Sequence, residues 1–535
     1  MSFKAYASVL HMSARWLHGF ALVAALLLLD ASLTFHNVWP TPAISWRGEI
    51  SAELAVYILS CVLICRRGIS SAALHWIAVI WMFFVVGRYA DVTATALFGR
   101  DINLYWDLRF IPDVVSLLAK AAHAWLAIAV VAGLAIVLAA LYFVLRWAIR
   151  IVTNAAVDPR TRMPLAALSL AAVLLFVLDA SGAHLRAVGF ARPVTLTYAR
   201  QVGVAVRAMG GKTIVPPGPA MTSDAARING ADVYLIFLES YGAVTFDRAS
   251  FASALAPARE MFERAIHDTN RDVVSAFVES PTFGGNSWLA HISLMSGIEV
   301  RDPDVNAMLM AQKRDTMVTF FKRRGYRTVA LMPGLWQAWP EGSFYNFDTI
   351  YGGDRLAYRG PEFGWFDIPD EFALAKFDTL EAGTTSRPPL FMFFPTISTH
   401  TPFRPTPPYQ SDWGRVVTDQ PFDEADLDRA FDQQADWLNL GPSYVDAMTY
   451  TYATLTGYLR KTAGRDVVII LLGDHQPPAL VSGEGAPWDV PVHVIASRRE
   501  VLQQLVAKGF RRGLTPSRPD VAKMNQLLPL LLGAF

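Results

Sequence analysis

The chain has 535 residues, 53% of them hydrophobic and only 17% charged, with 47 basic against 46 acidic side chains and a net charge of +1; mean hydropathy is +0.30. Soluble domains carry about 25% charge, so the composition excludes a disordered chain and argues against a wholly soluble one, and with no basic excess it predicts no nucleic-acid partner. The two cysteines, Cys61 and Cys65, lie in the N-terminal third, which excludes a disulfide scaffold downstream.

Apolar runs recur up to about residue 180. They predict membrane spans at Trp16–Phe35, Leu54–Cys65 extended back to Glu49, Ala72–Arg88, Leu117–Trp147 and Met163–Asp179. A spanning helix needs about 20 mostly apolar residues, and the second and fifth runs are the short ones. The first run has Asp30 where a cleavable leader would have small residues, so it reads as a retained span.

Lys and Arg in the short loops set the orientation. With the N-terminus inside, Lys4, Arg15, Arg66, Arg67, Arg146, Arg150, Arg160 and Arg162 are inner, against Arg47, Arg100 and Arg109 outside. Adding Arg88 and Lys120 at outer span edges keeps the inner excess. Five spans then place the rest of the chain outside the cytoplasm, in a multi-pass protein of the cell's inner (plasma) membrane. Asp30, Arg88 and Asp91 stand near span ends, where they pair, snorkel or form a lipid head-group site.

Residues 181–230 mix apolar positions such as Leu185, Val188, Val202 and Val206 with Arg186, Arg192, Arg200 and Arg207. This predicts interfacial helices and a linker, closed by the stiff Val215-Pro-Pro-Gly-Pro219 break. From 231 to 535 the pattern changes. Short apolar runs at Val233–Leu238, Val273–Val278, Thr328–Met332, Pro389–Phe394, Val467–Leu472 and Val490–Ile495 read as buried strands. Helical stretches lie at Ser250–His267, Met317–Arg324 and Tyr444–Thr462. The whole is an N-terminal α-helical transmembrane bundle of 1–180 followed by a C-terminal α/β domain with a largely parallel central sheet.

In such sheets ligands collect at the carboxyl ends of the strands. There the sequence puts Glu239-Ser240 after the first strand, Ser398-Thr399-His400-Thr401-Pro402 after the fourth, and Gly473-Asp474-His475 after the fifth. Two carboxylates and two imidazoles make a plausible metal-ligand set of oxygen and nitrogen. A further segment, Gly284-Gly-Asn-Ser287, precedes helically spaced Leu289, Ile292 and Met295. Glycines let backbone approach a ligand and a helix start offers free amides to an anion; a serine there, beside a metal, is a nucleophile arrangement. His291 and His493 read as ordinary helix and strand residues.

This order of motifs resembles the alkaline phosphatase superfamily in its sulfatase-like branch, nearest the membrane-anchored lipoteichoic acid synthases and related phosphoglycerol and phosphoethanolamine transferases. The resemblance implies five helices joined to an extracytoplasmic catalytic domain. It also implies one metal held by Glu239, the nucleophile Ser287, Asp474 and His475, with His400 binding substrate. The family's nucleophile is usually Thr, and its phosphoglycerol members carry an aromatic and an Arg in the loop after the third strand. Here that loop reads Gly334-Leu-Trp336-Gln-Ala-Trp339-Pro-Glu341. Trp336 or Trp339 can serve as the aromatic, and no Arg follows. A carboxylate beside an aromatic ring suits a cationic group, so Glu341 either favours an amine-bearing head group or is a turn residue.

The expectation is a metal-dependent enzyme that transfers a phospho-head-group, phosphoglycerol or phosphoethanolamine, from a phospholipid donor to an envelope glycan or lipid acceptor through a Ser287-linked intermediate. One divalent ion, manganese, zinc or magnesium, is its cofactor. A membrane-bound phosphodiester or sulfate-ester hydrolase uses the same residues and stays open; Ser287 is followed by Trp-Leu-Ala-His, which is not the formylglycine-sulfatase pattern. A non-catalytic envelope-binding scaffold is the alternative of another class.

Overall fold

The computed structural model describes the chain except residues 1–2, 39–40, 66–67, 100–101, 103, 105–123, 184–188, 211–214, 337–338, 365–366 and 385. The chain divides into two compact units, one of Met1–Ala96 with Asp101–Gly211 and one of Leu97–Arg100 with Lys212–Phe535.

The first unit is helical: α1 Phe3–Thr34, α2 Ala52–Ile64, α3 Ser71–Phe98, α4 Ala124–Val157, α5 Arg162–Leu178 and α6 Val194–Gly210. Ala25, Leu29 and Leu33 of α1 bury against Leu145, Ala148 and Ile149 of α4, the small residues allowing close approach in an apolar setting. Among the described residues, four stretches are long and apolar enough to cross a membrane: Leu17–Thr34, Ser71–Leu97, Ile128–Val157 and Arg162–Ser181.

The second expected span departs from the sequence reading. Helix α2 has 13 residues, about 20 Å at 1.5 Å per residue, against a hydrocarbon core of about 30 Å. Its backward extension to Glu49 is not helical. Ser51 caps the helix by accepting from the Leu54 N–H at 3.2 Å, and Ile50 instead bridges Phe190. Leu117–His123 of the fourth expected span lies outside the described residues, as do Arg66, Arg67, Arg100, Arg109, Lys120, Leu185, Arg186 and Val188 of the loop and interfacial readings.

The second unit is built on a nine-stranded sheet. In chain order its strands are β1 Asp232–Leu238, β2 Asp272–Glu279, β3 Arg327–Leu331, β4 Thr349–Tyr351, β5 Leu390–Pro395, β6 Val467–Gly473, β7 Asp489–Ala496, β8 Arg511–Arg512 and β9 Ala522–Lys523. The spatial order is β8-β2-β7-β6-β1-β5-β3-β4, with β9 also beside β2. Strands β6, β1, β5, β3 and β4 are parallel, and β7 runs antiparallel between β6 and β2. The sheet is thus mixed and mostly parallel. All six strands read from the sequence are present; β4, β8 and β9 are too short to leave a periodic signal.

Both faces of the sheet are covered, so its central strands are continuously apolar. Successive side chains alternate between faces. Val233, Leu235 and Phe237 of β1 join one core with α8 (Ser287–Ser296), α9 (Met317–Lys322) and α12 (Met524–Ala534). Tyr234, Ile236 and Leu238 join the other, with α7 (Ala249–Asp268), α10 (Asp370–Phe377) and α11 (Gly441–Lys461). Because β1, β2, β5 and β6 share one direction, their carboxyl ends open on one edge, where the loops leading to Glu239, Ser287, His400 and Asp474 emerge.

Candidate active site

Four of the sequence-derived residues converge. Ser287 Oγ donates to Glu239 Oε2 at 3.0 Å and lies 3.2 Å from His475 Nε2. His475 Nε2 is 3.5 Å from Glu239 Oε1 and 3.6 Å from Asp474 Oδ2. Glu239, Asp474 and His475 are buried, and Ser287 is half-buried.

The backbone around Ser287 explains its placement. Gly284, Gly285 and Asn286 have φ of 63°, 143° and 60°. Three consecutive residues on the positive-φ side are costly for side-chain-bearing residues, and such strain concentrates at functional sites. Asn286 is the N-cap of α8 but caps with no side-chain hydrogen bond. Ser287 is therefore the first residue of a ten-residue helix, presented toward the strand ends at a helix N-terminus.

The strand ends are cross-tied. Ser240, at φ 58°, donates its backbone N–H to Asp474 Oδ1 at 2.9 Å and its hydroxyl to Glu239 Oε1 at 2.9 Å. The Glu239 N–H donates to Thr396 Oγ1 at 3.1 Å, and Thr399 Oγ1 donates to the Glu239 carbonyl at 2.5 Å. His475 Nδ1 faces the Gln476 carbonyl at 2.8 Å; a carbonyl only accepts, so Nδ1 carries the proton and Nε2 presents its lone pair to the cluster. Gln476 is locked in turn: its Oε1 accepts from Val244 N at 3.2 Å and its Nε2 donates to the Pro487 carbonyl at 3.0 Å.

The electrostatics favour a cation. Burial, and then the neighbouring Glu239 charge, push Asp474 well above the usual carboxylate range. Burial also works to raise Glu239, but the neighbouring His475 and His400 and the hydrogen bonds from Asp474 and Ser240 together outweigh it and hold Glu239 below its usual value. Burial lowers the His475 imidazole below its usual value. Two crowded carboxylates and a neutral imidazole lone pair are the donor set of a divalent metal. The spacing fits: ligand atoms of Glu239, Asp474 and His475 all lie within 4.8 Å of one another, and tetrahedral ligands about 2.0–2.2 Å from one ion sit roughly 3.3–3.6 Å apart.

His400 stands at the rim of this cluster, after β5. Its Nδ1 faces the Thr401 carbonyl at 2.8 Å, and with Ser398, Phe363 and Arg404 it lines a small pocket. Asp370, the first residue of α10, holds this loop: Oδ1 accepts from Ile397 N at 2.8 Å and Oδ2 from Ser398 N at 2.9 Å.

The third-strand loop behaves differently. Trp339 stacks on Phe347 and Phe393, with ring centroids 6.2 and 6.4 Å apart, so its indole fills core. Trp336 is about half exposed and packs against Gly353, where an added Cβ would meet its ring at 2.8 Å. Glu341 lies in the first turn of the short helix Pro340–Tyr345. No hydrogen bond or ring contact among the described residues ties Trp339 or Glu341 to Ser287.

The sequence reading gave no role to Ser240, Thr396, Asp370 and Gln476. Ser240 and Gln476 adjoin motif residues and were within reach. Asp370 lies 28 residues from Ser398, with no local pattern to mark it. His291 proves unusual for a helix residue. It is buried between Phe237 and Phe393, at centroid distances of 4.6 and 5.3 Å. Among the described residues its Nε2 has no hydrogen-bond partner, and burial pushes its pKa down to about 3.

Residues 295–490 match the sulfatase family model. That stretch contains His400, Asp474 and His475 and begins after Glu239 and Ser287. No curated protein sequence matches the chain. Among solved structures, the lipoteichoic acid synthase LtaP of Listeria monocytogenes is 15% identical, covering 54% of this chain and 70% of its own, with a TM-score of 0.35. The phosphoglycerol transferase GacH of Streptococcus pyogenes, in complex with sn-glycerol-1-phosphate, is 12% identical, covering 62% and 90%, with a TM-score of 0.33. The periplasmic domain of the phosphoethanolamine transferase EptC of Campylobacter jejuni is 11% identical, covering 57% and 88%, with a TM-score of 0.36.

Proposed function

We propose that the chain is a membrane-anchored, metal-dependent transferase that moves a phospho-head-group from a phospholipid to an envelope glycan or lipid, with Ser287 as the nucleophile. The single observation that carries this reading is the convergence of Ser287 Oγ on Glu239 Oε2 and His475 Nε2, at 3.0 and 3.2 Å, from a helix start set by three positive-φ residues.

In the first step Ser287 Oγ forms a bond to phosphorus as the bond from phosphorus to the diacylglycerol oxygen breaks. Glu239 Oε2 is the acceptor aligned with the serine hydrogen, and His400, at the rim, is placed to give the leaving oxygen its proton. In the second step an acceptor hydroxyl bonds to phosphorus and gives its proton to His400, the Ser287 ester breaks, and Ser287 regains the proton held by Glu239. A divalent ion held by Glu239, Asp474 and His475 would supply Lewis-acid activation of the serine hydroxyl and neutralise phosphate charge. Asp370 positions His400 by holding the preceding backbone amides, and Gln476 fixes the loop that aims His475.

The phospholipid donor is favoured because four helices long enough to cross a bilayer share the chain with this site. The same reading places the catalytic unit outside the cytoplasm. Four crossings return the chain to its starting side, so an extracytoplasmic catalytic unit then requires an extracytoplasmic N-terminus or a fifth crossing. The reading takes in a glycerol or an ethanolamine head group. The test is release of diacylglycerol by the full-length protein in vesicles of phosphatidylethanolamine or phosphatidylglycerol. Metal-dependent release that Ser287→Ala abolishes supports the reading; release that persists in Ser287→Ala overturns it.

A further inference from the structure

The segment after β5 folds back on itself. Phe403, at φ 67°, donates its backbone N–H to the His400 carbonyl at 2.8 Å. This turn sets the next residue, Arg404, alongside His400. The Phe403 side chain is buried, and its ring meets Tyr444 of α11 edge-on at 5.2 Å. The Tyr444 hydroxyl donates to the Ser240 carbonyl at 2.7 Å, next to Glu239. The turn that leads into Arg404 is thus fixed to the same strand end as the carboxylate cluster.

Arg404 and His400 both line the small pocket described above, of about 20 Å³, room for one oxygen-sized group. Among the described residues they are its only ionisable lining side chains, and no carboxylate lines it. A guanidinium carries several N–H donors and no acceptor. Among the described residues only Asp446 accepts from this one, through Nη2, and Nε is buried with no hydrogen-bond partner. The two members of the ion pair are unequally placed: the Arg404 side chain is 13% exposed and that of Asp446 54%. A half-exposed carboxylate is a weak hold, because water solvates it and screens the pair. A mostly buried guanidinium with a donor left unpaired carries a desolvation cost that such a pair does not offset. An anionic oxygen in the pocket would offset it.

We propose that Arg404 binds the substrate phosphate: its guanidinium leaves Asp446 and donates to a non-bridging phosphate oxygen beside His400. The ligand chemistry follows from the donor, since a planar guanidinium matches the oxygens of a phosphate with parallel N–H bonds. The assignment rests on the transfer reading above for the presence of a phosphodiester and adds to it the residue that grips the phosphate. Asp446 is then a competitor for the guanidinium rather than its support. Removing Arg404 and removing the Asp446 charge therefore act on phosphate binding in opposite directions.

The test uses the full-length chain carrying Ser287→Ala, purified in detergent and loaded with divalent metal, and titration calorimetry reads its affinity for inorganic phosphate. Adding Arg404→Gln should weaken phosphate binding roughly tenfold, the low end for a charge-assisted hydrogen bond. Adding Asp446→Asn should tighten it by about two- to fivefold, the scale of an exposed ion pair that no longer competes. An ion pair that only holds the loop in place would make both variants weaken binding alike. Asp446→Asn decides the matter if Arg404→Gln does not fold. No phosphate binding by the parent, unchanged binding in Arg404→Gln, or unchanged or weaker binding in Asp446→Asn overturns the assignment. The Ser287→Ala background transfers nothing, so the two readings fail separately. Absence of diacylglycerol release from the unsubstituted protein, with the two variants still moving phosphate affinity in opposite directions, would strike the transfer reading alone.

Discussion

The Ser240 N–H donates to Asp474 Oδ1 at 2.9 Å across 234 residues of sequence, tying the end of β1 to the end of β6. The Ser240 hydroxyl also fixes Glu239 Oε1, so one residue orients both carboxylates of the cluster. Ser240→Ala keeps the backbone bond and removes the hydroxyl. Losing one buried hydrogen bond should cost about 1–2 kcal/mol of stability, and metal affinity should fall as Glu239 loosens. Denaturant unfolding and metal titration check the two effects together.

Metal binding should stabilise the fold, and only through this cluster. At an ion concentration about 100 times its dissociation constant the gain is about 2.7 kcal/mol, a rise of about 4 °C in Tm for a domain of this size. Glu239→Gln and Asp474→Asn should each abolish the metal-induced rise measured by calorimetry. A rise of the same size in both variants would place the ion elsewhere.

Gly473 ends β6 where an added Cβ would lie 1.8 Å from the Tyr241 carbonyl oxygen. That contact is with backbone, which cannot swing aside, so Gly473→Ala must push the Ser240–Tyr241 turn away from Asp474. The expected loss is about 3 kcal/mol, at the upper end for overpacking. Gly464→Ala, with nothing within 4 Å of its Cβ, is the matched control and should change stability by less than about 1 kcal/mol. Denaturant unfolding of the pair gives the comparison.

Asp370 gives the stability a defined pH dependence. Burial pushes its carboxyl up to about 6, against the two backbone N–H bonds that favour the charged form. A folded value above the unfolded one means the contribution is fully present below about pH 4 and is lost as pH rises through about 6, at most about 3 kcal/mol. Asp370→Asn should flatten that part of the stability–pH curve. It should also loosen His400, seen as a lower kcat. An unchanged slope in the variant would assign the dependence to other groups.

The sequence carried most of this architecture because buried parallel strands are continuous apolar runs, and the site residues stand one or two positions past their ends. Glu239, Ser287, Asp474 and His475 are legible for that reason: β1, β2 and β6 point the same way, and topology does the rest. What was not legible depends on tertiary context. Helix α2 stops short of a span because Ser51 caps it and Ile50 pairs with Phe190, neither of which hydropathy registers. Trp339 looked like a ligand platform, but its ring completes an aromatic stack with Phe347 and Phe393. Asp370 acts on a loop 28 residues away through two backbone amides, a contact with no sequence period.

The measurement that bears most directly on the account is the mass of the protein after brief incubation with phosphatidylethanolamine or phosphatidylglycerol and metal, without acceptor, followed by peptide mapping. The expected result is one added phospho-head-group, located on Ser287, lost on addition of acceptor and absent in Ser287→Ala. An adduct on any other residue, or diacylglycerol released at full rate with Ser287 never modified, would contradict it.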